Sequence, residues 1–293
     1  MQRGNPSHQY LPGMLAGRTY FVTGTSSGIG RALVEALAAH GGRVVLAARS
    51  GERTLPVVTA IRSRFPGADA QFVSLDLADL SAVRRAAEGY LATGRPIDVL
   101  VNNAGVAGTR AVSADGFDLT YAVNHIGPFL LTNLLLPRVR ESPQGRIVNV
   151  ASAAHHIAKR IDWNVLERRT TPKRSAFADY GVTKLMNVLH AKELARRLAG
   201  TGVTTSAVHP GTVASNIWRA LPRVAQWVMK RFMVSNEEGA RGPLYCATAP
   251  ELAKATGRYY YKSREAKTSP LAANAALASE LWEKTEALIS ASR

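Results

Sequence analysis

Tyr180 and Lys184 stand four residues apart in YGVTK, a spacing that puts both side chains on one face of a helix. A phenol titrates near ~10 and is a poor base at neutrality; an ammonium beside it favours the phenolate and draws the pKa toward the working range. Tyr180 could then pass a proton to or from an alcohol oxygen, although Tyr-x-x-x-Lys alone is also a common surface helix pair. A second chemistry lies in TGTSSGIG (23–30), where a strand-like run turns into a helix-periodic one. Gly24, Gly28 and Gly30 let the backbone turn tightly and approach a pyrophosphate, whose charge rests on the N-terminus of the next helix. The spacing is Gly-x-x-x-Gly-x-Gly, and a plain strand-to-helix loop is its bland alternative. A third lies in VVLAARS. Where a dinucleotide fold preferring NAD sets an acidic residue against the ribose hydroxyls, this chain has Ala48 and then Arg49. A guanidinium there binds a 2′-phosphate in bidentate fashion, so NADP(H) is expected over NAD(H).

The elements around these residues alternate in type. TYFVTG (19–24), RVVLAAR (43–49), AQFVSLDL (70–77), IDVLVNNAG (97–105), GRIVNVAS (145–152), VTTSAVHPG (203–211) and GRYYY (257–261) read as strands. Residues 31–42, 79–92, 116–139, 179–199 and 269–289 read as helices. Strands apolar on both faces and separated by helices predict a parallel sheet covered on both sides: a single-domain, Rossmann-type, doubly wound α/β fold of about seven strands. Residues 1–17 read as a loosely attached arm and 18–293 as the domain.

Glycine turn, NNAG, VNHIG, a strand ending in serine, YGVTK and HPGTV follow one another in order, each at a strand end or on the helix after it. Together they resemble the short-chain dehydrogenase/reductase family over residues 17 to 289. ASAAHH, ELARRLAGTGVTTSAVHPGTV and EEGARGPLYCA are similar to its retinol-dehydrogenase-like branch. The resemblance implies hydride transfer between a nicotinamide cofactor and an alcohol or carbonyl. Tyr180 is then the acid/base, Lys184 its partner and holder of the nicotinamide ribose, Ser152 a donor to the substrate oxygen, and Asn124 the holder of a water in the proton path. It implies cofactor contacts at Gly24, Ser27, Gly28, Ile29, Gly30, Asp76, Leu77, Asn102, Ala104, Gly105, Pro210, Gly211, Thr212 and Val213, besides Arg49, Tyr180 and Lys184. Substrate contacts are expected at Ser152 and His155, with a structural hydrogen bond as the alternative use of His155, and at Ile217, Trp218, Leu221 and Trp227 of a lid over 214–235. There Ile217, Leu221, Val224, Val228 and Phe232 gather on one helical side, with Pro222 as a break. His125, His155, His156 and His209 show no i, i+4 pairing with another histidine, and no metal is expected.

The sole cysteine, Cys246, excludes an intramolecular disulfide and suits a reducing, cytoplasmic setting. No signal peptide or membrane-spanning run is read; the best apolar run, FLLTNLLLP (129–137), is interrupted by polar residues and proline. The net charge is +16, and half of it falls between His155 and Ala178 and in 214–235, at +4 each. The expected partner is a bulky apolar small molecule of retinoid, steroid, lipid or polyketide type. An anionic membrane surface or an acidic carrier protein is drawn to the basic rim, and the family resemblance implies a homo-oligomer. Nucleic acid is not expected, since no aromatic residues interleave with the basic ones to stack bases. A non-catalytic nucleotide-binding scaffold of the same fold is the competing reading, and every residue it would lack is present.

Overall fold

The computed structural model describes residues 13–108, 111–167, 176–212 and 234–292. The strands are β1 Thr19–Thr23, β2 Arg43–Ala48, β3 Ala70–Ser74, β4 Val99–Asn102, β5 Arg146–Val150, β6 Thr204–His209, β7 Arg258–Tyr261 and β8 Arg264–Glu265. They form an eight-stranded sheet of order β3-β2-β1-β4-β5-β6-β7-β8. All neighbours pair in parallel except β7 and β8, which form an antiparallel hairpin. The eighth strand escapes the sequence reading because two residues, Arg264 and Glu265, carry no periodicity.

Side chains of β1 alternate between two cores. Phe21 enters a core with Val83, Tyr90, Leu131, Leu185 and Trp282, under helices Leu80–Ala92, Gly127–Arg140, Ala176–Arg197 and Ala275–Ala291. Tyr20 and Val22 enter the other, with Leu33, Leu37, Val58, Ile61 and Leu244, under helices Gly28–Ala39, Gly51–Arg64 and Asn236–Thr248. Fully buried strands of this kind need helices on both faces, and the strand order reverses between β1 and β4, which opens a crevice at the strands' C-terminal ends.

Three elements differ from the sequence reading. Helices Gly51–Arg64 and Asn236–Thr248 lie outside the helices that the sequence predicts; each carries an internal proline, Pro56 and Pro243, which removes one backbone donor yet is outweighed by the buried face. The helix expected over 116–139 is broken into Leu119–Tyr121, a π-turn Ala122–Ile126 and Gly127–Arg140. The arm is pinned at its described end: Leu15 is buried and its N–H bonds the His40 carbonyl at 3.0 Å. Among the described residues no helix is long and apolar enough to cross a membrane.

Candidate active site

The crevice holds a cavity of about 600 Å³, of the size that takes a cofactor or drug-sized ligand. Its floor is built from the ends of β1 and β4. Thr23 Oγ1 accepts the N–H groups of Asn103 and Ala104, each at 3.0 Å, and Asn103 Nδ2 donates to the Thr23 carbonyl at 2.8 Å. Gly24, at φ +74°, closes over this junction; a Cβ there would stand 2.8 Å from Ala104 Cα. At Gly30 a Cβ would collide with the Gly24 carbonyl and stand 2.5 Å from Asn103 Nδ2, so the helix N-terminus sits hard against the turn. Ser27 occupies the N-cap of helix Gly28–Ala39 without a side-chain capping bond. The hydroxyl and the helix N-terminus together make an anion cradle facing the cavity.

At one side the wall is basic. Arg49 and Arg53 are exposed at the cavity edge, with Ser50 between them capping the Arg53 N–H at 3.3 Å. Asp76 and Leu77 line the neighbouring wall, and Asp76 Oδ1 accepts the Ala78 N–H at 3.0 Å.

The other end carries Ser152, Tyr180 and Lys184, all lining the cavity. Ser152 begins the 3-10 turn Ala153–Ile157 and hydrogen-bonds Tyr180. Gly181 lets helix Ala176–Arg197 lie against this turn: a Cβ on it would stand 2.7 Å from Ile157 Cγ1 and 2.9 Å from the Ala154 carbonyl. Lys184 Nζ donates to the Val150 carbonyl at 2.9 Å and lies 5.5 Å from the Tyr180 ring centroid. Both groups are deeply buried, and burial governs their protonation. The Tyr180 pKa is pushed up to about 12, against a lowering by the Ser152 hydrogen bond, while Lys184 is pulled down to about 8 by desolvation. Burial thus opposes the lowering that Lys184 is expected to give Tyr180, since a phenolate is costly in a desolvated site.

Asn124 stands behind this end in the π-turn, 1% exposed. Its amide clamps Val106: Oδ1 accepts the Val106 N–H at 2.8 Å and Nδ2 donates to the Val106 carbonyl at 2.9 Å, and to Thr183 Oγ1 at 3.0 Å. Its backbone carbonyl has no α-helical donor, because residue 128 is proline. A π-turn with a freed carbonyl is a common mark of a functional position.

A glycine cradle, a helix N-terminus, two arginines, and Ser152 beside the buried Tyr180 and Lys184 fit, in one crevice, a dinucleotide with a reacting oxygen at its far end. Comparison with known proteins agrees. The family model for short chain dehydrogenase matches residues 18–161. Human dehydrogenase/reductase SDR family member 13 is 40% identical over 94% of this chain and 74% of its own length. Human retinol dehydrogenase 12 is 40% identical over 92% of this chain and 85% of its own. The solved structure of an uncharacterised protein from Mycobacterium Paratuberculosis has a TM-score of 0.76 at 31% identity, covering 96% of each chain. The chain belongs to the short-chain dehydrogenase/reductase family. It falls in the retinol-dehydrogenase-like branch and is an oxidoreductase of the alcohol/aldehyde type that binds NAD(P)(H).

In this short-chain dehydrogenase/reductase the cavity gathers Gly24, Ser27, Gly28, Ile29, Gly30, Arg49, Asp76, Leu77, Ala104, Gly105, Ser152, Tyr180, Lys184, Pro210, Gly211 and Thr212. Besides Asn124, which stands behind the wall, two expected residues point elsewhere. Asn102 Nδ2 donates to Thr132 Oγ1 at 2.9 Å and Asn149 Oδ1 at 2.8 Å; it ties strand β4 to its neighbours, and Asn103 lines the cavity instead. His155 is 0% exposed and is not a substrate contact: Nδ1 bonds the Ser152 carbonyl at 2.7 Å and Nε2 accepts the Ser269 N–H at 3.2 Å. That pairing fixes the proton on Nδ1 and braces the Ser152 turn from behind. Val213, Ile217, Trp218, Leu221 and Trp227 lie outside the described residues, as does the expected lid except Val234 and Ser235. Sequence reasoning missed Ser50, Arg53, Ile157 and Phe177 in the cavity wall. Phe177 was within reach of it, standing one helical turn before Tyr180, with ring centroids 6.4 Å apart.

Proposed function

We propose that this protein is an NADP(H)-dependent oxidoreductase that interconverts a bulky apolar alcohol with its aldehyde or ketone, with Tyr180 as acid/base. The observation that carries the reading is the polarity of one crevice. Two arginines, Arg49 and Arg53, stand at one end and Ser152 with the buried Tyr180 and Lys184 at the other, with Ile157, Phe177, Val106 and Ala107 in the wall beside them. Paired guanidinium groups match a 2′-phosphate that a carboxylate would repel. When bound, the dinucleotide supplies or accepts the hydride.

The chain's own residues handle the oxygen. Ser152 donates to it and stabilises negative charge as it develops. Tyr180, a phenol at neutral pH because burial holds its pKa at about 12, carries the proton that a carbonyl oxygen gains on reduction. Lys184 sets its charge against the Val150 carbonyl and beside the tyrosine ring, and the Asn124 clamp holds the Gly105–Val106 segment in the cavity wall. The decisive assay follows NADPH absorbance against a panel of apolar aldehydes and ketones, with NADH as control. Tyr180→Phe is expected to lose about 10²–10⁴ of the rate, and Arg49→Ala/Arg53→Ala to raise the KM for NADPH at least about tenfold while leaving that for NADH unchanged. Turnover that survives Tyr180→Phe, or equal rates with both cofactors, contradicts the reading.

A further inference from the structure

The β7–β8 hairpin stands at the mouth of the same cavity. Tyr261, the last residue of β7, pairs in register with His209, and the two rings stack with centroids 4.8 Å apart; His209 lines the cavity. Tyr261 is followed by Lys262 at φ 49° and Ser263 at φ 55°, and then by Arg264, which pairs with Tyr261. A two-residue turn with both φ values positive is the tight hairpin that asparagine and glycine fill without strain. Lysine and serine occupy it here, and a cation stands at the tip. Lys159 and Arg160 are exposed just beyond the turn Ala153–Ile157, whose Ile157 lines the cavity. Of the carboxylates close to these cations in sequence, Glu265 pairs with Arg258.

Apolar side chains stand among these charges. Six large hydrophobic side chains are exposed among the described residues, and three of them are at this mouth: Ile157 at 46%, Phe177 at 44% and Tyr261 at 37%. Ile157 and Phe177 also line the cavity wall, so the apolar surface runs from outside to inside. A solvated acidic protein surface would answer the cations and leave the apolar side chains without a partner. An anionic bilayer answers both: headgroups neutralise the lysines and arginines while apolar and tyrosine side chains enter the interfacial zone.

We propose that this rim, Ile157, Lys159, Arg160, Phe177, Tyr261, Lys262 and Arg264, docks the enzyme reversibly on an anionic lipid surface, so that a bilayer-dissolved substrate passes directly into the cavity. The proposal rests on the apolar-substrate reading above. Each cation within a Debye length of such a surface strengthens binding roughly fivefold. The full chain is therefore expected to co-sediment with phosphatidylcholine vesicles containing phosphatidylserine and not with phosphatidylcholine alone, and to be released by salt. Lys262→Glu/Arg264→Glu is expected to weaken that binding at least about twentyfold. Arg43→Glu/Arg140→Glu, an equal change of charge at the opposite end of the strands, is expected to leave it nearly unchanged. Equal weakening by both pairs overturns the proposal in favour of general basicity. So does sedimentation indifferent to lipid charge, and so does a rim variant that keeps vesicle binding but loses turnover of a substrate tethered to an acidic carrier. Turnover of a soluble aldehyde, which Lys262→Glu/Arg264→Glu is expected to preserve, reads the catalytic assignment separately, so a failure of either claim is visible on its own.

Discussion

Lys184 shows how a functional side chain can oppose the fold that holds it. Burial lowers its pKa from 10.5 to about 8, a cost of about 3 kcal/mol for carrying the charge inside. Below pH 8 that cost is present in full; between about 8 and 10.5 the folded state has shed the proton and the unfolded chain has not, so the cost fades as pH rises. Lys184→Met is therefore expected to be inactive and yet to unfold at a higher temperature than wild type at pH 7, with the gap closing by pH 10.5. Val150 keeps a donor in the variant, since Asn187 Nδ2 also reaches its carbonyl at 3.2 Å. Asn102 makes the opposite case. Asn102→Ala strands Thr132 and Asn149, and is expected to cost about 1–3 kcal/mol in denaturant unfolding while leaving the Kd for NADPH unchanged. The sequence shows that an asparagine pair stands at the end of β4 but not which of the two faces the crevice, because a one-residue step reverses side-chain direction at a strand end. His155 is legible only in part for the same kind of reason: its place after the serine is visible and favours a structural hydrogen bond over a substrate contact, but its inward turn onto Ser269 is not visible.

Among the elements, helix Ala176–Arg197 sets the active site by how closely it approaches its neighbours. Gly181→Val forces a side chain into Ile157 and the Ala154 carbonyl, at 2.7 and 2.9 Å from the Cβ alone, and so lifts Tyr180 away from Ser152. Its expected signature is a kcat loss of about 10²-fold or more with little change in the KM for cofactor. The C-terminal helix Ala275–Ala291 reaches the other side of the π-turn. Thr285 spends its hydroxyl hydrogen on the Leu281 carbonyl at 2.7 Å, so its oxygen accepts from His125 Nε2 at 3.0 Å. Thr285→Val keeps the shape and leaves that imidazole N–H unpaired, and is expected to lower stability by about 1–3 kcal/mol. The Rossmann order and the strand ends that carry the motifs were legible from apolar runs alternating with helical periodicity. Ser50 and Arg53 were not, because helix Gly51–Arg64 carries Pro56 and a mostly polar face, and without that helix two neighbours of Arg49 had no assigned direction.

For the molecule as a whole, acid is the natural denaturant. Burial pulls His125 down to about 3 and His155, His190 and His209 to about 4. Folded, they stay neutral; unfolded, they take protons near pH 6.5, so stability is complete above that value and drains away as pH falls toward 4. All four shifts have the same direction, so each adds to the loss of stability on the acid side. A cooperative loss of near-ultraviolet circular dichroism between pH 6.5 and 4 is the expected result. Cys246 faces the other way in this respect: it is 2% exposed, and burial pushes its thiol up to about 12, so it stays inert to alkylating reagents while the fold holds. Because it is the chain's sole cysteine, one thiol engineered at the hairpin tip would be the single reactive position on the native surface. A fluorophore or spin label attached there could report, without any background to subtract, whether that tip sits in water or in lipid.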